Sequence, residues 1–330
     1  MKANNLILHK ANLIYNEHFG NNACFERAIF LSWYCSKGDC KFCYMSTQKK
    51  KITDPKRARR RKESVLAEAL ICRAAGWNIE FLSGGYESYD LDELACLVRQ
   101  INKITGQKQW LNCGVLSRDE LIRFAPHIKG VCGSVEVLNP KLHKKLCPSK
   151  PIGEIEEMFR HAVQLNIDRA MTIVLGLGET IDDLPLLVDF IKKYKINRIT
   201  LYALNPHEDT IFEKGPSPEY CAGWIARTRL AFPELEIIAG SWVDRLSEIN
   251  LFLTAGANAI TKFPSIKLFN SKFAKQIGDE VKKAGRRFKG TMTDIEKVKI
   301  EQLIKRLPFD PELNKRIENK VRQYYKQMSR

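Results

Sequence analysis

Three cysteines fall within nine residues, in the segment Cys35-Ser-Lys-Gly-Asp-Cys40-Lys-Phe-Cys43. Such short spacers let a loop fold back so that three thiolates face one metal centre, and Gly38 supplies backbone freedom for the turn. A structural zinc site is closed by four protein ligands, and no second close Cys/His pair follows this segment. Three thiolates suit a [4Fe–4S] cluster with one iron left open to a substrate or cofactor. Three buried thiols, or a zinc completed by a distant residue, are the alternatives that these residues leave open.

Placing such a loop is the task of the surrounding elements. Short β-like runs at Ala28–Tyr34, Ile79–Ser83, Gln109–Val115, Val131–Val137, Ala170–Leu175, Arg198–Leu204, Leu235–Ala239 and Ala257–Thr261 alternate with amphipathic helical patterns. The helical patterns include Ser64–Ala75, Leu91–Thr105, Gly153–Leu165 and Ile181–Tyr194. Strands alternating with helices imply parallel pairing through right-handed crossovers. Eight of them predict an α/β fold, a closed (β/α)8 TIM-type barrel over residues 1–290, where an open sheet would give the same pattern over fewer strands. Residues 291–330 read as a helical extension packed on the barrel, two helices separated near Pro308–Pro311. In such barrels the chemistry sits at the C-terminal strand ends, and the cysteine loop follows the first predicted strand directly.

Composition narrows the class. The 330 residues are 44% hydrophobic and 28% charged, values of a globular chain. No apolar run reaches the ~18 residues of a membrane span. The first residues, Met1-Lys2-Ala3-Asn4-Asn5, lack a signal peptide's apolar stretch, so a cytoplasmic location is expected. Lys and Arg number 54 against 38 Asp and Glu, a net charge of +16. Residues 49–62 concentrate nine cations against Asp54 alone. Such a surface favours anionic partners: an anionic small-molecule or carrier-bound substrate, or nucleic acid. No added RNA-binding module is recognisable, so nucleic acid is not the expected partner.

Further motifs stand at predicted strand ends. Ser83-Gly84-Gly85-Tyr86-Glu87 follows the second strand, and Glu136 ends the fourth, before Asn139-Pro140. Gly176-Leu177-Gly178-Glu179-Thr180 ends the fifth, and Leu204-Asn205-Pro206-His207-Glu208-Asp209-Thr210 the sixth. With the cysteine loop and its Phe42, this order resembles the radical S-adenosylmethionine (SAM) superfamily, in the branch of biotin synthase and the [FeFe]-hydrogenase maturase. The resemblance runs from about Phe25 to Asn270. The first cysteine spacer is four residues here, where the superfamily usually has three.

The resemblance implies a [4Fe–4S] cluster held by Cys35, Cys40 and Cys43 as metal ligands and catalytic centre. It implies SAM held by Tyr44, Ser83, Gly84, Gly85, Glu136, Gly176, Gly178, Leu204 and Asn205. Cys113 and His207 are candidate substrate contacts, and an electron donor such as ferredoxin or flavodoxin is the expected partner. The cysteines that hold biotin synthase's second cluster align with Ser83, Cys113 and Ala170, of which one is cysteine. The family arginine that reaches the SAM carboxylate aligns with Ile155, so a nearby cation, Arg160 or Arg198, is expected to replace it. Within the branch the chain looks most like the enzymes that mature the iron–guanylylpyridinol cofactor of [Fe]-hydrogenase. The rivals are an archaeal-type lipoyl synthase and a tRNA-modifying protein.

Overall fold

The structure, a computed structural model, describes residues 2–329. Eight strands run in parallel: β1 (Asn22–Phe30), β2 (Asn78–Ser83), β3 (Gln109–Asn112), β4 (Ile128–Glu136), β5 (Asp168–Leu175), β6 (Arg198–Ala203), β7 (Glu236–Gly240) and β8 (Ala259–Thr261). Because β1 pairs with both β2 and β8, the sheet closes into a barrel. A short β9 (Arg287–Lys289) adds alongside the start of β1, also in parallel.

The helices between the strands follow local rules. The helix Leu91–Thr105 starts where the Asp90 side chain accepts from the Asp92 and Glu93 amides, and ends at Gly106 with φ +75°. Its Leu94, Leu97, Val98, Ile101 and Ile104 recur at helical spacing and are buried against the barrel. The helices Lys297–Lys305 and Pro311–Met328 pack on the helix Lys62–Ala75. A helix not predicted from the sequence, Lys2–Phe19, packs along Pro218–Ala231. No helix among the described residues is long and apolar enough to cross a membrane.

All eight strands differ from the sequence expectation at one end or both, and two of them, the first and the third, stop three or more residues short of it. The first strand begins at Asn22 and stops at Phe30, not Tyr34, because the Trp33 amide turns to the Ala58 carbonyl and Ser32 bridges Arg59. The third stops at Asn112, just before Gly114 takes φ +96°.

Buried polar groups lie within the barrel. The Glu80 carboxylate accepts from Thr200 Oγ1 at 2.9 Å, from Thr261 Oγ1 at 2.6 Å and from the Tyr202 hydroxyl. Arg198, at the start of β6, is paired with Glu236 at 2.6 Å and Glu26 at 3.5 Å. The N-terminal end of the barrel is thereby tied up in its own ion pairs, and the C-terminal end is left for chemistry.

Candidate active site

The C-terminal strand ends open onto a cavity of about 1050 Å³. Cys35, Cys40, Cys43, Tyr44, Ser83, Gly84, Gly85, Glu136, Leu204, Asn205 and His207 all line it, so residues from four separate stretches of sequence meet there.

The cysteine loop is held by backbone bonds on both sides. The Ser36 amide donates to the Tyr86 carbonyl at 3.1 Å, and the Lys41 amide to the Leu146 carbonyl at 2.9 Å. The second bond sets Cys40 beside Cys147. Gly85 fits under this loop: a Cβ there would lie 2.6 Å from Cys35 Cα. Gly84 lies equally close to Ser88, whose Oγ would be 2.6 Å from a Cβ. The close approach of backbones, rather than a turn alone, therefore requires glycine at position 85, while at position 84 the neighbour is the Ser88 side chain.

Glu136 sits at a register shift between β4 and β5 and takes φ +66°. That left-handed conformation is uncommon for a side-chain-bearing residue. Lys150 Nζ donates to Glu136 Oε1 at 2.8 Å, and both side chains are largely buried. Burial alone would press the Lys150 ammonium down, but the facing Glu136 carboxylate outweighs it and holds the group above the usual lysine range. Contact with the Cys147 thiol, and then burial, pushes the Cys40 thiol far up, while burial pushes Cys43 up to about 11.

Several expected site residues lie elsewhere. Gly176 and Gly178 do not line the cavity. Their turn is closed on itself by Glu179, whose carboxylate accepts from the Gly176 amide at 2.6 Å and the Leu177 amide at 2.8 Å. Gly176 faces Pro216, and Gly178 faces Leu142. The Cys113 thiol also misses the cavity: it lies 3.6 Å from the Leu82 carbonyl oxygen under the Gly84 turn, and burial pushes it up to about 12. Arg198 cannot replace the missing family arginine, being committed to Glu236 and Glu26, and Arg160 is exposed on its helix. The cation that lines the cavity beside Glu136 is Lys150.

The basic run divides. Lys51 and Arg57 border the cavity. Arg59 pairs with Glu93 and donates to the Ser88 carbonyl, and Arg60 pairs with Glu68. Those two are structural and not free for a ligand.

Sequence reasoning missed Lys150, Trp33, Trp242 and Lys262 as cavity residues. Lys262 directly follows β8, so the strand-end rule pointed to it. Lys150 carries no such signal, since its place comes from a loop between two helices.

A closed parallel barrel with thiols, paired charges and aromatic side chains gathered at its C-terminal strand ends defines an α/β-barrel enzyme. Residues 33–191 match the Radical SAM superfamily, and residues 200–286 match the Biotin and Thiamin Synthesis associated domain. The chain is 42% identical to an uncharacterized protein of Methanocaldococcus jannaschii, over 94% of this chain and 87% of that protein. It is 26% identical to the [FeFe] hydrogenase maturase subunit HydE of Thermotoga maritima, over 78% and 74%. The fold matches the crystal structure of methylornithine synthase (PylB) with a TM-score of 0.72 at 18% identity, covering 92% of each chain.

The chain belongs to the radical SAM superfamily and carries the domain associated with biotin and thiamin synthesis. It is an enzyme, and its cofactors are a [4Fe–4S] cluster and SAM. The residues present fit both groups. Three free thiols of one loop face the same cavity, and a glycine pair leaves backbone room beside Cys35. Among the described residues no three Cys, His, Asp or Glu side chains are yet drawn into a closed metal-binding set. The three thiols would shed their protons on loading, since the thiolate is the ligating form.

Proposed function

We propose that this enzyme abstracts a hydrogen atom from a small molecule in cofactor biosynthesis, and that the cofactor is the iron–guanylylpyridinol of [Fe]-hydrogenase. When bound, the reduced cluster and SAM supply a 5′-deoxyadenosyl radical for that abstraction. The observation that carries the reading is the meeting of Cys35, Cys40 and Cys43 with Gly84, Gly85 and Glu136 on one cavity.

The chain's own residues bind and orient. Cys35, Cys40 and Cys43 hold the cluster. Gly84 and Gly85 offer backbone groups to the SAM amino group, and the Glu136–Lys150 pair offers one acceptor and one cation to its polar end. Phe42, Val174 and Leu204 exclude water from the wall. The exposed cations Lys50, Lys51 and Lys56 follow the cluster loop and meet an acidic electron donor such as ferredoxin or flavodoxin.

Likeness to a hydrogenase maturase supports the maturation role. Sulfur insertion from a second cluster is less well supported. Of Ser83, Cys113 and Ala170 only one is cysteine, and its thiol turns away from the cavity.

Anaerobically reconstituted protein should release 5′-deoxyadenosine from SAM only with a reductant, and Cys43→Ala should abolish it. A wild-type enzyme that forms none under any reductant would overturn the chemistry. Deleting the gene in a methanogen that makes the iron–guanylylpyridinol cofactor should abolish that cofactor, and its persistence would overturn the pathway.

A further inference from the structure

Aromatic side chains follow one another around part of the cavity. Phe30 stacks on Trp33 at 5.1 Å, Trp33 meets Tyr44 edge-on at 6.0 Å, Tyr44 meets His207 at 5.6 Å, and His207 meets Trp242 at 6.1 Å. Lys262 closes the circuit: its Nζ lies 5.8 Å from the Trp242 ring centre and 5.2 Å from that of Phe30, with Tyr202 at 4.5 Å. All of these line the cavity. They come mainly from β1 and the ends of β6, β7 and β8. The Gly84-Gly85 turn and Glu136 come from β2 and β4.

Lys262 differs from the other cations of the cavity. Lys150 is matched by Glu136, Arg27 by Glu68 and Lys37 by Glu154, while Lys51 and Arg57 are exposed. The Lys262 ammonium makes no hydrogen bond or ion pair among the described residues, and its backbone takes φ +72°. Lys262 is half-buried, and an ammonium partly withdrawn from water with no carboxylate in contact is costly; the ring faces around it offset only part of that cost. Burial presses it below the ordinary lysine range against the opposing pull of Glu80. What the arrangement lacks is an anion, and what the rings offer is stacking and edge contact to a flat body.

We propose that Lys262 and the rings of Trp242, His207 and Phe30 form the substrate subsite, which takes a flat, unsaturated small molecule carrying one carboxylate or phosphate. The anionic group pairs with Lys262, and the ring body lies against Trp242, His207 and Phe30. The inference deepens the hydrogen-abstraction reading and rests on it.

The test uses cluster-loaded enzyme with SAM and two matched pairs of probes, nicotinate against nicotinamide and benzoate against benzamide, titrated anaerobically by calorimetry. Each acid should bind at least about 10-fold tighter than its amide, the worth of one charge-assisted contact. Lys262→Met should erase that preference and Lys262→Arg should keep it. Trp242→Ala should weaken acid and amide together, because it removes the stacking surface and not the charge. The proposal is overturned if wild type binds acid and amide equally or binds neither, or if Lys262→Met keeps the preference. It is also overturned if Lys262→Met chiefly loses SAM affinity, which would make the lysine a SAM contact. The wild-type comparison needs no variant, so it can overturn the proposal even where Lys262→Met does not fold, and Lys262→Gln then serves in place of Lys262→Met. Absence of 5′-deoxyadenosine from wild type would sink the hydrogen-abstraction reading separately, since probe binding is read without turnover.

Discussion

Glu136 and Gly85 show what single residues do here. Glu136 holds a left-handed backbone at the end of β4, a state that costs on the order of 1–3 kcal/mol and persists only where its surroundings enforce it. It is pinned by the register shift against β5 and by the ion pair with Lys150. Glu136→Gln should weaken SAM binding by roughly 1–3 kcal/mol in anaerobic calorimetry, because a charge-assisted acceptor becomes a neutral one. The cluster absorbance should remain. Unchanged SAM affinity would reduce Glu136 to a carboxylate of the barrel rim. At Gly85 even a methyl group meets the Tyr34 carbonyl and the Cys35 side chain. Gly85→Ala should therefore displace the cysteine loop and lower bound iron per chain while leaving the circular dichroism of the barrel intact. Full iron content in that variant would show the loop to be free of the β2 turn.

At the scale of elements, Glu68 ties three of them together. On the helix Lys62–Ala75 its side chain is 3% exposed and pairs with Arg27 of β1 and Arg60 of the basic run, each at 2.7 Å. Arg60 also reaches Tyr324 of the last helix. Burial alone would raise the Glu68 carboxyl, and the two guanidiniums outweigh it and hold it below the ordinary carboxylate range. Its folded pKa is thus below its unfolded one. The stability it contributes is complete above the unfolded value of 4.5 and is lost as pH falls through the folded value. Glu68→Gln should cost about 3–5 kcal/mol in urea denaturation at pH 7, because two cations are left without their charge partner. It should also flatten the acid limb of the stability curve. A loss below about 1 kcal/mol would place the pair among surface bridges.

Over the whole molecule, the net charge of +16 is unevenly used. Arg27, Arg59, Arg60, Arg198 and Arg245 are spent on internal pairs. Lys49, Lys50, Lys51, Lys56 and Arg57 remain exposed beside the cluster loop. Replacing Lys50, Lys51 and Lys56 together with Gln should slow flavodoxin-supported formation of 5′-deoxyadenosine about 10-fold at low salt. Dithionite-supported formation should be unaffected, because a small reductant needs no docking surface. The difference should vanish near 1 M salt, where the Debye length is about 3 Å. Equal slowing with both reductants would mean that the lysines support the loop and not the donor.

Local chemistry was legible in the sequence wherever it depends on neighbours along the chain. The cysteine loop, the glycine pair and the strand–helix alternation are of this kind, because spacing, backbone freedom and hydrophobic period are set within a few residues. The barrel followed from the alternation, since parallel strands need crossovers. What the tertiary structure decided were matters of side-chain direction and of partners distant in sequence. Gly176, Gly178 and Cys113 sit at strand ends, but Glu179 closes the glycine turn on itself and the Cys113 thiol turns under Gly84. Arg198 went to Glu236 and Glu26, and Lys150 arrived at Glu136 from a loop. The aromatic circuit from Phe30 to Trp242 leaves no periodic trace either, because its members meet only when the barrel closes β1 against β8.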